Sequence, residues 1–239
     1  MKHKILIMLL LFITFCAGSA SASTFKMTSK PPIALVYRGS AGCDGCSEAV
    51  AYLLKKDTKY SFKIIYVGPR EKVSIEHGLK LHNVVLYAQP GGDGTVDSAY
   101  RNLRSDSAAI NKFVKNGGRY LGFCMGGYLA DNYGFNVRAN EYTTLRGAEV
   151  TTDDDSVVKV TWRGKPRYMY FQDGPYFTGK GDIIAKYTNG KTAALIKTCG
   201  KGKVGVCGTH PEADSTWGVY DPDGVDTDLG IDLIDTLMK

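Results

Sequence analysis

The sequence predicts an α/β domain with a mostly parallel central sheet and antiparallel strands towards its C-terminal end. Three observations carry that prediction. Short apolar runs at 33–37, 62–67, 84–88 and 120–123 alternate with stretches of helical spacing, the order of a sheet whose strands are joined by helices. Beyond Gly134 the texture changes to alternating strands separated by turn residues. Two glycine-rich loops, after 88 and after 123, each follow an apolar run, and open α/β sheets bind ligands at strand C-termini.

Taken in order, residues 1–22 stand apart. Lys2 and Lys4 precede the apolar run 5–15, and small residues lead to Ala20-Ser-Ala22. This is the pattern of a secretory signal peptide with an A-x-A cleavage site, so an exported protein, periplasmic or secreted, is expected. The run is short for a membrane span, and no later segment approaches that length. Phe15 is bulkier than lipoprotein sites usually accept before the cysteine, which argues against lipid anchoring at Cys16. Removing the segment, with its two lysines and no acid, lowers the formal net charge from +6 to +4. No Lys/Arg cluster suggests a nucleic-acid groove, and no such partner is expected.

Residues 23–239 read as a single domain, without repeat or linker. The buried first strand at 33–37 ends in the small-residue loop Gly39-Ser-Ala-Gly-Cys43-Asp-Gly-Cys46. Val50, Leu53 and Leu54 fall at helical spacing within 47–56. Strands follow at 62–67 and 84–88, the latter running into Gln89-Pro-Gly-Gly-Asp-Gly94, where backbone can approach a ligand closely. Helical material is expected over 95–115, with Ile110, Phe113 and Val114 as its apolar face and Gly117-Gly118 as its cap. Glu149-Val150, 157–162, 167–171, 183–187, 193–197 and 203–207 alternate as antiparallel strands, with turns at Asp153-Asp-Asp155 and Gly164-Lys-Pro166. Leu229, Leu233, Ile234 and Leu237 mark an amphipathic helix over 228–237.

The chemistry concentrates in Arg119-Tyr-Leu-Gly-Phe-Cys124-Met-Gly-Gly-Tyr-Leu-Ala130, which reads as strand, sharp turn and helix with Cys124 at the bend. Gly122-Phe-Cys124-Met-Gly126 has the form of a nucleophile elbow, whose small flanking residues let a strained turn fit. The bend would hold the sulfur above the sheet at a helix N-terminus, where free N–H groups favour a thiolate and an oxyanion. Beyond the leader the cysteines are Cys43, Cys46, Cys124, Cys199 and Cys207. Pairing sequence neighbours, Cys43 with Cys46 and Cys199 with Cys207, would leave Cys124 as the free thiol. Cys199 and Cys207 as two unpaired core cysteines is the alternative. Cys43-Asp-Gly-Cys46 suits a structural staple, with a redox pair as the other reading.

The last strand delivers Gly208-Thr-His210-Pro-Glu212. In extended chain, residues two apart share a face, so Glu212 could orient the His210 imidazole. Nucleophile, base and orienter are the parts that acyl transfer needs. Asp221-Pro-Asp-Gly-Val-Asp226 lacks the register and terminal Glu of a calcium loop, and His77 and His82 are isolated; no metal and no cofactor are expected. Tyr170, Tyr176, Phe177 and Trp217 are candidate wall residues.

Pro90-Gly91-Gly92, Gly122-Phe-Cys124-Met-Gly126 and His210-Pro-Glu212, in that order, resemble the motifs of class I glutamine amidotransferases. The chain is more similar still to the amidotransferase-like N-terminal domain of biotin–protein ligases, through Gln89-Pro-Gly-Gly, Gly117-Gly-Arg-Tyr-Leu-Gly-Phe-Cys124 and Tyr170-Phe-Gln-Asp-Gly-Pro-Tyr-Phe177. The resemblance implies a three-layer, flavodoxin-like sandwich. It implies Cys124 as nucleophile, His210 as general base and acid, and Glu212 as orienter. Met125 and the Gly91–Gly92 loop would supply the oxyanion hole, and Tyr128, Gln172, Asp173 and Gly174 are candidate pocket residues. Where relatives that use glutamine follow the nucleophile with Leu-Gly-His-Gln, this chain has Met125-Gly-Gly-Tyr128, a departure that disfavours glutamine. With 27 residues after Glu212, no biotin-ligase catalytic domain is expected in this chain. The expected function is therefore an exported cysteine hydrolase acting on a small amide or peptide-like bond. The alternatives are a small-ligand binding protein of the same fold and thiol–disulfide exchange at Cys43 and Cys46.

Overall fold

A computed structural model describes residues 30–131, 134–137 and 154–239. The expected leader at 1–22 with Cys16, the start of the 23–239 domain, the strand at Glu149-Val150 and Asp153 lie outside the described residues. The first half alternates β1 (Ile33–Tyr37), α1 (Cys46–Lys56), β2 (Lys63–Val67), α2 (Ile75–Gly78), β3 (Val84–Gln89), α3 (Val96–Leu103), α4 (Ser107–Lys115), β4 (Arg119–Phe123) and α5 (Met125–Leu129). The second half runs β5 (Ser156–Trp162), β6 (Lys165–Phe171), β7 (Asp182–Tyr187), β8 (Thr192–Cys199), β9 (Gly202–Cys207), a 3-10 turn at Ser215–Trp217, and α6 (Thr227–Met238).

These strands form one sheet in the order β2-β1-β3-β4-β9-β8-β7-β5-β6. The first five are parallel and the remaining pairings antiparallel. The parallel half has the flavodoxin-like order, in which ligands bind at the strand C-termini near the reversal between β1 and β3. Its strands are buried on both faces, which is why they read as continuous apolar runs rather than alternating ones. Ala34 and Val36 of β1 pack with α1 and α6, whereas Leu35 and Tyr37 face the layer containing Ile75, Leu103 and Ile110. Helices thus cover both faces, giving three layers. Among the described residues no helix is long and apolar enough to cross a membrane.

Three details differ from the sequence reading. The helical stretch over 95–115 is two helices, broken around Arg104-Ser-Asp106, where Ser and Asp favour turns over helix interior. Strand β6 begins at Lys165, so the turn is Arg163-Gly164 alone, with φ of 44° and 82°. Positive φ at both residues is the geometry of a two-residue hairpin, and Pro166 is tolerated because β6 is the sheet edge. Cys199 and Cys207 are both free. In the β8–β9 hairpin Cys199 pairs with Gly202 near the turn while Cys207 pairs with Ala194 at the far end, and the two side chains enter opposite core layers.

Candidate active site

The parallel register brings the C-termini of β3, β4 and β9 to one edge: Gln89 pairs with Gly122, and Phe123 with Cys207. Each of these strands then releases one of the sequence motifs. Cys124 follows β4 with φ 45° and ψ −106°, a backbone state that side-chain-bearing residues rarely adopt and that surrounding contacts must hold. Those contacts are visible. The Cys124 N–H donates to the Cys207 carbonyl at 2.9 Å, and Tyr120 Oη donates to the Gly126 carbonyl at 2.7 Å. A Cβ on Gly122 would lie 2.4 Å from the Gly126 oxygen, and one on Gly126 would lie 2.2 Å from the Gln89 oxygen. Both positions therefore require glycine, and the elbow is locked against β3.

His210 and Glu212 follow β9 and are buried. They meet at 2.9 Å between His210 Nδ1 and Glu212 Oε1. The chain between them is not extended as expected: the Ala213 N–H donates to the His210 carbonyl at 3.1 Å, closing a turn that brings the carboxylate to the ring nitrogen. With Nδ1 occupied by Glu212, Nε2 is the ring nitrogen left over, and the ring lines the same cleft as the Cys124 sulfur. Burial by itself pushes the imidazole pKa down, but Glu212 and Cys124 outweigh it and the value rises to about 10. The Cys124 thiol also contacts the Gln172 carbonyl at 3.5 Å. An aromatic clamp holds the other side of the ring: Tyr170 lies edge-on at 5.4 Å and Trp217 at 5.1 Å between centroids.

The loop after β3 completes this edge. Gly91 packs against the His210 ring, since a Cβ there would fall 2.6 Å from Cε1. Among the described residues, the N–H groups of Gly91, Gly92 and Met125 donate no backbone hydrogen bond. Helix α5 has only five residues, so what it offers an anion is this first free N–H rather than a long helix dipole. The Cys43–Cys46 disulfide is formed, and the Cys43 N–H donates to the Gly91 carbonyl at 3.1 Å. The staple thus braces the glycine loop.

Cys124 opens onto two clefts. One, of about 820 Å³, is bounded by His210, Tyr170, Trp217 and the disulfide. The other, of about 520 Å³, is bounded by Thr95, Met125, Tyr128, Gln172 and Asp173. Gly174 lines neither; a Cβ there would meet the Gly208 oxygen at 1.8 Å, so it is a packing glycine. Asp44, Asp93, Asp155 and Asp214 on the larger cleft went unread in the sequence because each comes from a different loop. The loop at Asp221–Asp226 does gather three carboxylates, and the Arg167 guanidinium occupies it, bonding Asp223 and Asp226.

Fold and site together define a chain of class I glutamine amidotransferase-like fold. Residues 33–144 match the family model described as "Biotin-protein ligase, N terminal", so the resemblance read from the motifs holds over a segment that contains the elbow but not His210 or Glu212. No curated protein matches the chain. Among solved structures, a glutamine amidotransferase from Thermotoga maritima superposes with a TM-score of 0.57 at 12% identity, covering 88% of this chain and 99% of that one. A ThuA-like protein from Bacteroides uniformis gives 0.53 at 12% identity, covering 94% and 95%. A GH42 β-galactosidase from G. stearothermophilus gives 0.51 at 13% identity, with 87% of this chain spanning 30% of that one. At such identities these likenesses speak for the fold alone.

Proposed function

We propose that this protein is an exported cysteine hydrolase that cleaves a small amide or peptide-like bond through Cys124, His210 and Glu212. The observation that carries the reading is the convergence of Cys124, His210 and Glu212 on one cleft, with the imidazole held on a buried carboxylate at 2.9 Å and the nucleophile on a strained elbow. Cys124 attacks the substrate carbonyl and forms a C–S bond, and the carbonyl electron pair moves to oxygen. The N–H groups of Met125 and the Gly91–Gly92 loop receive that oxyanion; one such donor is typically worth about 3 kcal/mol of barrier. His210, held protonated by Glu212, gives its proton to the departing amine as the C–N bond breaks. A water that surrenders a proton to His210 then hydrolyses the thioester. Met125-Gly-Gly-Tyr128 in place of the glutamine-holding sequence favours hydrolysis over transfer of ammonia.

The test is alkylation of the protein with iodoacetamide at neutral pH, followed by peptide mass spectrometry. Cys124 should be the fast-reacting thiol, slowed at least about tenfold in His210→Ala. A Cys124 that reacts no faster than an ordinary thiol, and is indifferent to His210→Ala, would instead mark a ligand-binding protein.

A further inference from the structure

Resting on the reading of Cys124 as nucleophile, the geometry points to a substrate whose leaving portion is a cationic amine, one bearing an ammonium or guanidinium group beyond the bond that is cut. His210 must hand its proton to the leaving group, so that portion lies on the His210 side of the sulfur, in the larger cleft. The walls of that cleft carry Asp44, Asp93, Asp155 and Asp214, and among the described residues that line it Lys55 is the lone lysine or arginine. This runs against the chain as a whole, whose formal net charge is +6. The acidity is therefore local to the cleft rather than a background property.

The carboxylates are spread around the cleft rather than gathered in one turn. Asp44 stands between the two disulfide cysteines, Asp93 in the glycine loop, Asp155 before β5, and Asp214 at the cap of the 3-10 turn, where it accepts from the Thr216 N–H at 2.9 Å. Aromatic rings add a second, independent reason. Trp217 and Tyr170, which meet edge to face at 4.8 Å beside His210, both line the cleft, and aromatic rings attract organic cations. Glu212 lines the same cleft, fully buried, with one oxygen on His210 and Oε2 without a hydrogen-bond partner. A leaving portion that carries a carboxylate would meet repulsion here.

Charged methanethiosulfonates test this without knowledge of the substrate. The 2-aminoethyl (cationic), methyl (neutral) and 2-sulfonatoethyl (anionic) reagents each transfer their thiol group to the Cys124 thiolate as a mixed disulfide, releasing methanesulfinate. The rates are measured on the full chain at low and high ionic strength. The cationic reagent should exceed the anionic one by at least about tenfold after correction for their rates with a free thiol, and added salt should shrink the ratio. In Asp44→Asn/Asp214→Asn, where asparagine preserves the capping oxygen, the ratio should fall towards one. A ratio near or below one in the parent, or one that survives in the double variant, would overturn the proposal. Slow reaction with all three reagents counts against the hydrolase reading, while their ratio still decides the charge preference.

Discussion

At the scale of single residues, the site turns on which force governs His210. Its burial favours the neutral ring, while the Glu212 and Cys124 charges favour the protonated one, and together the charges win. Because the folded pKa lies above the ordinary value, the native state binds the proton more tightly. The stabilisation is full below about pH 6.5 and disappears as pH rises through about 10. Glu212→Gln keeps the shape and removes the charge, so burial acts with less opposition. The His210 titration, followed by NMR of labelled imidazole, should move down by more than about one unit, equivalent to more than about 1.4 kcal/mol. An unmoved titration would mean that Glu212 does not set the proton affinity of this ring. His210 and Glu212 were legible in the sequence as types and spacing, but the turn that joins them was not, because nothing in His-Pro-Glu distinguishes a strand face from a closed turn.

At the scale of elements, the edge that carries Cys124 and His210 is a set of loops braced by their neighbours. Gly91→Ala would put a Cβ 2.6 Å from His210 Cε1, so ring or loop must shift, at a cost of about 1–3 kcal/mol. The expected result is a lower Tm together with Cys124 alkylation slowed to the level of His210→Ala; wild-type alkylation would show that the contact is incidental. Cys43→Ser/Cys46→Ser removes a bridge closing a very short loop, so the stability loss should stay below about 3 kcal/mol. Cys124 reactivity should fall nonetheless, because the Cys43 N–H holds the Gly91 carbonyl. Undiminished reactivity would reduce the staple to ordinary local support. The elements themselves were largely readable, since buried parallel strands and amphipathic helices leave strong periodic signals. The short helix α2 and the 3-10 turn that carries Trp217 left no such signal, being only four and three residues long.

At the scale of the whole molecule, the antiparallel half is tied to the terminal helix by charges that sequence alone did not connect. Trp162 Nε1 donates to Asp232 at 2.8 Å, and Arg167 on the edge strand β6 bonds Asp223, Asp226 and Asp228. Helix α6 in turn covers the parallel half, with Leu237 against Gly205 and Gly230 against Leu53. One guanidinium thus serves several carboxylates, and Asp226 is buried among them. Burial and then Asp221 push its pKa up to about 8, despite the downward pull of Arg167. Its folded value exceeds its unfolded one, so its contribution to stability is full below about pH 3.8 and is lost as pH rises through about 8. Arg167→Met deletes the downward pull and leaves the acids facing one another, at a cost of about 3 kcal/mol near neutrality. The Tm gap between parent and variant should be narrower at about pH 4, where Asp226 is protonated, than at about pH 9, where it is charged. A gap of constant width across that range would show that Arg167 holds the two halves together by packing its stem rather than by charge.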